Sequence, residues 1–417
     1  MHLMDFVALA AELDASDELR SFRSEFAPIE EGLLYLDGNS LGIPPKASLV
    51  RAAEAAAEWQ HHLVRGWSEW MHIPARIGGR IASLIGARAG EVVISDSTTV
   101  NLYKLVNAAL DLRPDRNVIV TDDENFPSDL YVLQGIARTR GVQLEIVQIE
   151  PDADRVAAVL CRLGPDVALL TLSHVTFKSG WIYPMQAMTR ATHEAGALVL
   201  WDLSHAVGAV PVELNKADAD FAIGCTYKYL NGGPGAPAFL YVREDLITQC
   251  QSPINGWMGQ RDPFRFGLKY DPNPDISRFM VGTPSILSIA AIEPGVEMVQ
   301  RAGIDRIRAK SKRLTDLMVQ LWEAELKDIG FALRSPREAE NRGGHVSLGH
   351  PDALSIDLAL INDAKLIPDF REPDNLRLGI SPLTTSFADV VEASRRIRAV
   401  VKDGRAANYA GARPHVT

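Results

Sequence analysis

A length of 417 residues allows two domains, and a net charge of −10 excludes a general nucleic-acid binder or a protein that adheres to anionic membranes. The hydrophobic content of 47% and the charged content of 23% are those of a globular protein. Three cysteines without metal-type spacing favour a reduced compartment, and residues 1–12 lack the basic start of a secretion signal. We therefore expect a cytoplasmic protein.

The first 44 residues are predicted to form an N-terminal segment that joins the smaller of the two domains. This segment begins with helical spacing and ends where the apolar run Leu34–Leu36 gives way to Gly38-Asn-Ser-Leu-Gly42. Two glycines in five residues suit a loop that another backbone approaches closely, although an ordinary strand-to-turn exit explains them as well. An alanine-rich helix follows from residue 46, before a segment with two tryptophans that ends at His72.

Short apolar runs alternate with stretches of helical spacing between residues 85 and 245. This alternation predicts an α/β domain with a mainly parallel sheet that helices cover on both faces. Ligands of such sheets bind outside the carboxyl ends of the strands. The predicted strands are residues 92–94, 118–120, 144–147, 167–171, 197–201, 221–223 and 238–242.

Polar residues follow the first two predicted strands. Thr98 and Thr99 open a helix, whose free backbone N–H groups and hydroxyls can hold a phosphate, but helix capping explains hydroxyl residues there without any ligand. In Asn125-Phe-Pro-Ser-Asp129, Phe126 can stack on a flat ring and Asp129 can bind a polar group of that ring. A turn and a helix cap account for the same residues. Neither motif is decisive alone.

The carboxyl ends of later strands carry four further candidates. Lys228 follows the apolar run 221–223 and precedes a glycine-rich turn, so it can be a buried amine whose lowered pKa suits Schiff-base chemistry. Asp202 ends the run 197–201, about one strand-helix-strand unit earlier. Pyridoxal phosphate needs such a lysine for its aldehyde and a carboxylate for its pyridine nitrogen. Ser173 follows the strand 167–171 and His205 comes three positions after Asp202, so the motifs after the strands 92–94, 118–120, 167–171 and 197–201 converge on one predicted site.

The large domain is predicted to span residues 45–285 and the small α+β domain residues 286–417. The stretch 246–285 is irregular and aromatic, and we expect a lid over a site or a subunit contact there. A long helical segment follows over 286–328, with a break expected at Pro294–Gly295. Strands and helices then alternate to about residue 404.

Arg377 is a candidate ligand for a substrate carboxylate in the small domain. Its neighbours Leu376 and Leu378 share the opposite face of a predicted strand, so the arginine faces away from their apolar side. A planar guanidinium can grip a carboxylate through two parallel hydrogen bonds. An exposed strand arginine without a ligand is the alternative.

These stretches together make the chain resemble the fold-type I pyridoxal-phosphate enzymes and, among them, the kynureninase family. The segments from Asp202 to Gly208 and from Cys225 to Gly235 are specific at their spacing, and the loop 38–42 and the segment 125–129 support them. The similarity extends through Arg377, so it covers nearly the whole chain. It implies the fold of that family, in which a mainly parallel, seven-stranded sheet is joined to a smaller α+β domain.

The resemblance implies pyridoxal 5'-phosphate as the cofactor and gives the candidate residues their roles. Lys228 would bond the aldehyde, Asp202 would pair with the ring nitrogen, and Tyr227 is a candidate proton donor beside them. The other implied cofactor-binding residues are Thr98, Thr99, Phe126, Asp129, Ser173, His205, and, from the second subunit of a homodimer, Trp257 and Thr283. The implied substrate-binding residues are Arg377, Ser40, Asn39 and His72.

The family's reaction is hydrolysis of L-kynurenine to anthranilate and L-alanine by Cβ–Cγ cleavage, a step of tryptophan catabolism on the kynurenine pathway that also serves NAD biosynthesis. Threonine at position 283, where animal members carry asparagine, leaves open the preference between kynurenine and 3-hydroxykynurenine. An aminotransferase or a cysteine desulfurase of the same fold would share Lys228 and Asp202. A non-catalytic binding protein on this scaffold is the remaining alternative, and the presence of both residues disfavours it.

Overall fold

The computed structural model describes residues 3–150 and 153–412, so Met1 and His2, at the start of the segment that lacks a basic stretch, lie outside the described residues. No helix in the described ranges is long and apolar enough to cross a membrane. The α-helices of these ranges are α1 (Leu3–Ala15), α2 (Lys46–His62), α3 (Trp67–Trp70), α4 (Ile73–Leu84), α5 (Thr98–Asp111), α6 (Pro127–Arg140), α7 (Arg155–Leu160), α8 (Met185–Glu194), α9 (Glu244–Ile247), α10 (Ile286–Ala290), α11 (Ile292–Ala302), α12 (Ile304–Leu321), α13 (Ala353–Ala364) and α14 (Phe387–Lys402). The strands are β1 (Leu34–Tyr35), β2 (Val92–Ile94), β3 (Val118–Asp122), β4 (Gln143–Val147), β5 (Val167–Ser173), β6 (Leu198–Asp202), β7 (Phe221–Gly224), β8 (Phe239–Val242), β9 (Ala332–Leu333), β10 (His345–Gly349), β11 (Leu366–Ile367), β12 (Asp369–Arg371) and β13 (Asn375–Gly379).

The central sheet confirms the predicted fold class. Its seven strands have the order β2-β8-β7-β6-β5-β3-β4, and the five strands from β7 to β4 run parallel to one another. Strand β8 alone runs antiparallel, to both β2 and β7. Alternate residues belong to different cores: Val92 and Ile94 pack on one face of the sheet and Val93 on the other. Burial on both faces explains why these strands are continuous apolar runs.

A four-stranded antiparallel sheet of order β12-β13-β10-β9 forms the core of the C-terminal part. Leu376 and Leu378 of β13 are fully buried in its hydrophobic cluster, together with Phe387 at the start of α14. The N-terminal segment packs on the same cluster through Phe6 of α1, and β1 pairs in parallel with β11. The N-terminal segment is therefore part of the C-terminal unit, through the pairing of β1 with β11 and the packing of α1.

The helix break predicted at Pro294–Gly295 is wrong. Pro294 lies in the first turn of α11, where a missing backbone N–H costs no hydrogen bond. The helical segment is instead interrupted at Ala291 and at Gly303, whose φ of +79° is a left-handed conformation that favours glycine. Gly295 has a packing role, because a Cβ there would lie 2.1 Å from the carbonyl oxygen of Leu230. The helix can thus approach the turn that follows Lys228.

Candidate active site

Lys228 lies in the turn after β7, at the carboxyl edge of the parallel strands, and it is 9% exposed. Its side chain lines a cavity of about 340 Å³. The amine Nζ lies 2.7 Å from Nε2 of His205. Burial lowers the pKa of Lys228, so a larger fraction of the amine is neutral and nucleophilic than in water. The expected position of this lysine at the end of a buried strand is found.

His205 is the polar partner of the lysine amine. Burial, and then the charge of Lys228, hold the pKa of His205 well below its usual range, so its ring is neutral. A neutral ring that accepts from Lys228 through Nε2 carries its proton on Nδ1. Among the described residues Nδ1 of His205 has no hydrogen-bond partner. The ring therefore keeps a buried donor that a ligand in the cavity can satisfy.

Two buried carboxyl groups face the same cavity. Asp202 ends β6, and its Oδ1 accepts hydrogen bonds from the backbone N–H of Ser204 at 2.8 Å and from the Ser204 hydroxyl at 2.6 Å. Burial raises the pKa of Asp202, and burial followed by the charge of Asp202 raises the pKa of Asp129 well above its usual range. Oδ2 of Asp129 is buried without a partner in the described part of the chain. A cationic ring nitrogen in the cavity would favour ionised carboxylates here.

The opposite wall of the cavity combines a helix N-terminus with an aromatic ring. Thr98 and Thr99 open the 14-residue helix α5, which Ser97 caps by accepting from the N–H of Val100 at 3.3 Å. The remaining N–H groups of the first turn and the positive end of the helix dipole favour an anion such as a phosphate. Phe126 precedes α6, and its ring centroid lies 5.7 Å from the Lys228 amine. A flat ligand bound at the lysine would meet this ring.

The loop predicted to allow close backbone approach packs directly on the lysine turn. The backbone N–H of Gly42 donates to the carbonyl oxygen of Tyr227 at 2.8 Å. A Cβ at position 42 would lie 2.4 Å from the carbonyl oxygen of Lys228 and 2.1 Å from Oδ1 of Asn231. Only glycine fits that contact without moving backbone, so the N-terminal loop is fixed against the reactive lysine.

Arg377, Asn39 and Ser40 form a second polar group beside the cavity. Arg377 is 2% exposed and donates to the carbonyl oxygen of Phe177 at 2.5 Å, to the Ser40 hydroxyl at 3.1 Å, and to a carboxylate oxygen of Asp369. With the Asn39 amide turned to present its oxygen, Nε of Arg377 also donates to it at 2.8 Å. The Phe177 ring in turn contacts the ring of Phe126 edge-on, with centroids 5.2 Å apart. The two groups are therefore adjacent.

Besides Arg377, Asn39 and Ser40, four more of the predicted residues do not line the cavity of Lys228 in this chain. Ser173 is buried at the end of β5, where its hydroxyl donates to Oδ1 of Asn125 at 2.6 Å. His72 is exposed and lines a separate surface cavity beside Trp70. Thr283 is exposed, and Trp257 is 39% exposed and stacks edge-on against Phe264. Roles for these four in binding remain predictions.

Sequence reasoning missed two residues that hold the site. Ser204 gives two hydrogen bonds to Asp202, and its position two residues after an aspartate at a strand end is a typical signal for such a turn. Asp369 contacts Arg377, and nothing in the sequence around it marks that partnership. It depends on strand register, which short strands do not reveal.

The residues of the cavity fit pyridoxal phosphate. This cofactor requires a lysine amine with a lowered pKa, buried carboxyl groups, a helix N-terminus for its phosphate and an aromatic wall, and the cavity has all four. Oδ2 of Asp129 and Nδ1 of His205 are buried without a hydrogen-bond partner in the described part of the chain. Polar groups of a bound cofactor would supply the missing partners. We therefore assign the cavity to the cofactor.

Comparison with known proteins places the chain in a family. The model of the class-V aminotransferase family matches residues 54–367. A kynureninase of Pseudomonas fluorescens is 43% identical over 390 residues, which cover 91% of this chain and 92% of that protein. A kynureninase of Burkholderia pseudomallei strain K96243 is 41% identical over 399 residues, which cover 94% of each chain.

Solved structures of lower identity share the fold. The apo cysteine desulfurase of Thermococcus onnurineus NA1 superposes with a TM-score of 0.79 at 20% identity, over 92% of this chain and 98% of that one. A cysteine desulfurase of Escherichia coli gives a TM-score of 0.78 at 15% identity, over 92% and 98% of the two chains. Both confirm the fold-type I architecture, and the cofactor of this architecture and family is pyridoxal phosphate. On the sequence relatives and the family model, the chain belongs to the class-V aminotransferase family and, within it, to the kynureninase family.

Proposed function

We propose that this chain hydrolyses L-kynurenine to anthranilate and L-alanine by cleaving the Cβ–Cγ bond, as a cytoplasmic step of tryptophan catabolism. The observation that carries the proposal is the buried Lys228 amine, which shares a cavity with Asp202 in a chain 43% identical to a kynureninase. Kynurenine and 3-hydroxykynurenine both remain candidate substrates, because Thr283 lies outside the cavity of its own chain.

Lys228 would hold the aldehyde of the cofactor and Asp202 its ring nitrogen, with Thr98 and Thr99 at its phosphate. When bound, pyridoxal phosphate supplies an electron sink that stabilises negative charge on the substrate's α-carbon. Ser204 keeps the Asp202 carboxylate oriented through two hydrogen bonds. Phe126 limits where a flat ring can lie.

The Lys228 amine is the base that moves the α-proton. Because burial lowers its pKa, the amine can accept a proton from the substrate's Cα near neutral pH and return it later. The hydrogen bond to His205 holds the amine at the cavity wall. Because the His205 ring is neutral, it adds no charge beside the amine.

Tyr227 is our candidate proton donor at the substrate's side chain. The neighbouring Cys225 and then burial raise the pKa of Tyr227, so its hydroxyl keeps its proton under all physiological conditions. A phenol that stays protonated can donate to the ketone oxygen or to the carbon that is left after cleavage. A contact between Tyr227 and the cofactor phosphate is the competing role.

We further propose that the chain forms a homodimer through exposed apolar side chains at the end of α2, on α10 and in the irregular stretch 246–285. Trp59 and Leu63 are 59% and 61% exposed near the end of α2, and Leu287 of α10, which packs on α2, is 44% exposed. Phe266 and Leu268 of the irregular stretch are more exposed still. Exposed apolar groups of this size favour a protein interface. A partner seated there would bring Trp257 and Thr283 towards a neighbouring cavity.

A cysteine desulfurase, which shares the fold, is disfavoured by the positions of the cysteines. Cys225 and Cys250 are buried, and burial raises the pKa of both thiols, that of Cys250 to about 12. Cys161 is exposed but directly follows α7 and does not line the cavity. None of the three is a reactive thiolate facing Lys228.

The function is tested by incubating the cofactor-loaded protein with L-kynurenine and, in parallel, with 3-hydroxykynurenine and L-cysteine. Chromatography would identify anthranilate and alanine, and a separate assay would detect sulfide. Equal amounts of anthranilate and alanine from kynurenine support the proposal. Release of sulfide from cysteine without kynurenine cleavage would contradict it and favour the desulfurase alternative.

A further inference from the structure

Asp369 contacts Arg377 more closely than any other charged group in the described part of the chain. The two residues are direct partners in the antiparallel ladder of β12 and β13. Nη2 of Arg377 donates to Oδ2 of Asp369, and this is the ion pair that Arg377 forms among the described residues. Both side chains are at most 2% exposed, so water does not weaken the pair.

The carboxylate of Asp369 also binds two other groups. The Ser40 hydroxyl donates to Oδ2 at 2.7 Å and accepts from Nη2 of Arg377 at 3.1 Å, which closes a three-membered ring of contacts. Nη1 of Arg371 lies 2.6 Å from Oδ1. One carboxylate is thereby shared between two guanidinium groups, which leaves a unit of positive charge for a further anion (two cations minus one anion). Asp357, whose pKa is raised to about 7 by burial and then by Asp369, is only partly ionised at pH 7 and offsets that charge in part.

The other contacts of Arg377 are to neutral oxygens. The carbonyl oxygen of Phe177 and the amide oxygen of Asn39 accept from Nη1 and Nε. Neutral acceptors steer a guanidinium less strongly than an ionised one does. Asp37, the nearest other carboxyl group of the N-terminal loop, has its pKa raised to about 8 by burial and then by Asp369, so it is neutral at pH 7.

We propose that Asp369 is a positioning residue, which sets the orientation in which Arg377 receives the α-carboxylate of the substrate. Arg371 shares the charge of Asp369, so the carboxylate orients Arg377 without cancelling the positive charge that binds the substrate. This inference rests on the proposed function, because it takes an amino acid as the ligand. It assigns no chemical step to Asp369.

The test compares ligands with and without a carboxylate. L-alanine, the proposed product, and ethylamine, the same amine without the carboxylate, are used as inhibitors of kynurenine cleavage by the holoenzyme. For Asp369→Asn we expect the inhibition constant of L-alanine to rise about tenfold to a hundredfold, the range of one charge-assisted hydrogen bond. The inhibition constant of ethylamine should stay within about twofold, because the cofactor site is untouched.

Two further variants make the comparison specific. Asp220→Asn is the matched control, because Asp220 is a fully buried carboxylate that also pairs with an arginine, Arg243 at 3.0 Å, but precedes β7 at the edge of the sheet opposite to Lys228. This variant should leave unchanged the ratio of the inhibition constant of L-alanine to that of ethylamine. Ser40→Ala keeps the ion pair and removes the bridging hydroxyl. We expect this variant to raise the same ratio by about threefold to tenfold. Ser40→Ala replaces Asp369→Asn in the test if Asp369→Asn does not fold.

An unchanged ratio in folded Asp369→Asn, or in Ser40→Ala where the former does not fold, would overturn the positioning role. An equal rise in the inhibition constants of alanine and ethylamine would also overturn it, because such a rise indicates general damage to the active site. Failure of the proposed function is a separate result: the unaltered protein would then release no anthranilate from kynurenine, before any variant is made.

Discussion

Ser204 holds the carboxylate of Asp202 by two hydrogen bonds to the same oxygen, at 2.8 Å from its backbone N–H and 2.6 Å from its hydroxyl. The turn after β6 thus fixes the orientation of an acidic group that burial would otherwise tend to neutralise. A fixed carboxylate at this place can keep a ring nitrogen protonated. The strength of the cofactor's electron sink therefore depends on Ser204, which acts through Asp202.

Asp202→Asn should retain cofactor binding and slow kynurenine cleavage by about tenfold to a hundredfold, because an amide forms a weaker bond to a cationic nitrogen by roughly 1.5–3 kcal/mol. Steady-state rates, with cofactor content measured by absorbance, would show this. Ser204→Ala retains the carboxylate and should slow the reaction less. A wild-type rate in Asp202→Asn would contradict the assignment.

Arg377→Lys should fail almost as completely as Arg377→Ala. Lysine keeps the charge but has no planar fork, so it can neither hold a carboxylate by two parallel bonds nor replace the contacts to Phe177 and Asn39. We expect a higher KM and a lower kcat in both variants, with unchanged cofactor content. Near-normal turnover in Arg377→Ala would remove this residue from the substrate site.

The apparent affinity for kynurenine should fall as the pH rises through about 8. Burial, and then Asp369, raise the pKa of Asp37 to about 8, so this carboxyl is neutral below that pH and adds a negative charge beside Arg377 above it. Asp37 and Arg377 are buried, so one such charge costs at least about 1 kcal/mol, the value under water-like screening, or at least about fivefold in KM. Asp37→Asn should flatten the rise in KM between pH 7 and pH 9. Identical KM profiles for the two proteins would argue against this effect.

A homodimer with shared sites predicts complementation between two inactive variants. Lys228→Ala and Trp257→Ala chains, once mixed and exchanged, would form hybrid dimers in which one of two sites has both native residues. Random pairing should restore about a quarter of the wild-type activity. Mixing two Lys228→Ala preparations is the control and should restore none. No recovery, with subunit exchange shown by mass, would contradict shared sites.

The central sheet could be predicted from the sequence because burial on both faces makes its strands continuous apolar runs. The site followed from the same pattern, since parallel strands place the residues after their carboxyl ends at one edge of the sheet. Lys228, Asp202 and His205 meet there as expected. The spacing of those residues along the chain was sufficient to predict their meeting.

The support of Arg377 could not be predicted in the same way. Strand β12 has three residues, too few to show an alternation, and the contact with Phe177 joins residues 200 positions apart. The helix break was misplaced because a proline in a first turn has the same sequence signature as one that ends a helix. These features depend on packing between distant segments, which local pattern does not contain.

The most direct test of the account is to reduce the cofactor-loaded protein with borohydride and locate the cofactor by mass spectrometry, alongside a kynurenine assay of the same sample. We predict that the cofactor is fixed on the peptide that contains Lys228, and that Lys228→Ala and Lys228→Arg both lack this mass and release no anthranilate. Arginine keeps the positive charge, so its failure would show that the amine itself is needed. Cofactor found on another lysine, or kynurenine cleavage by Lys228→Ala, would contradict the account.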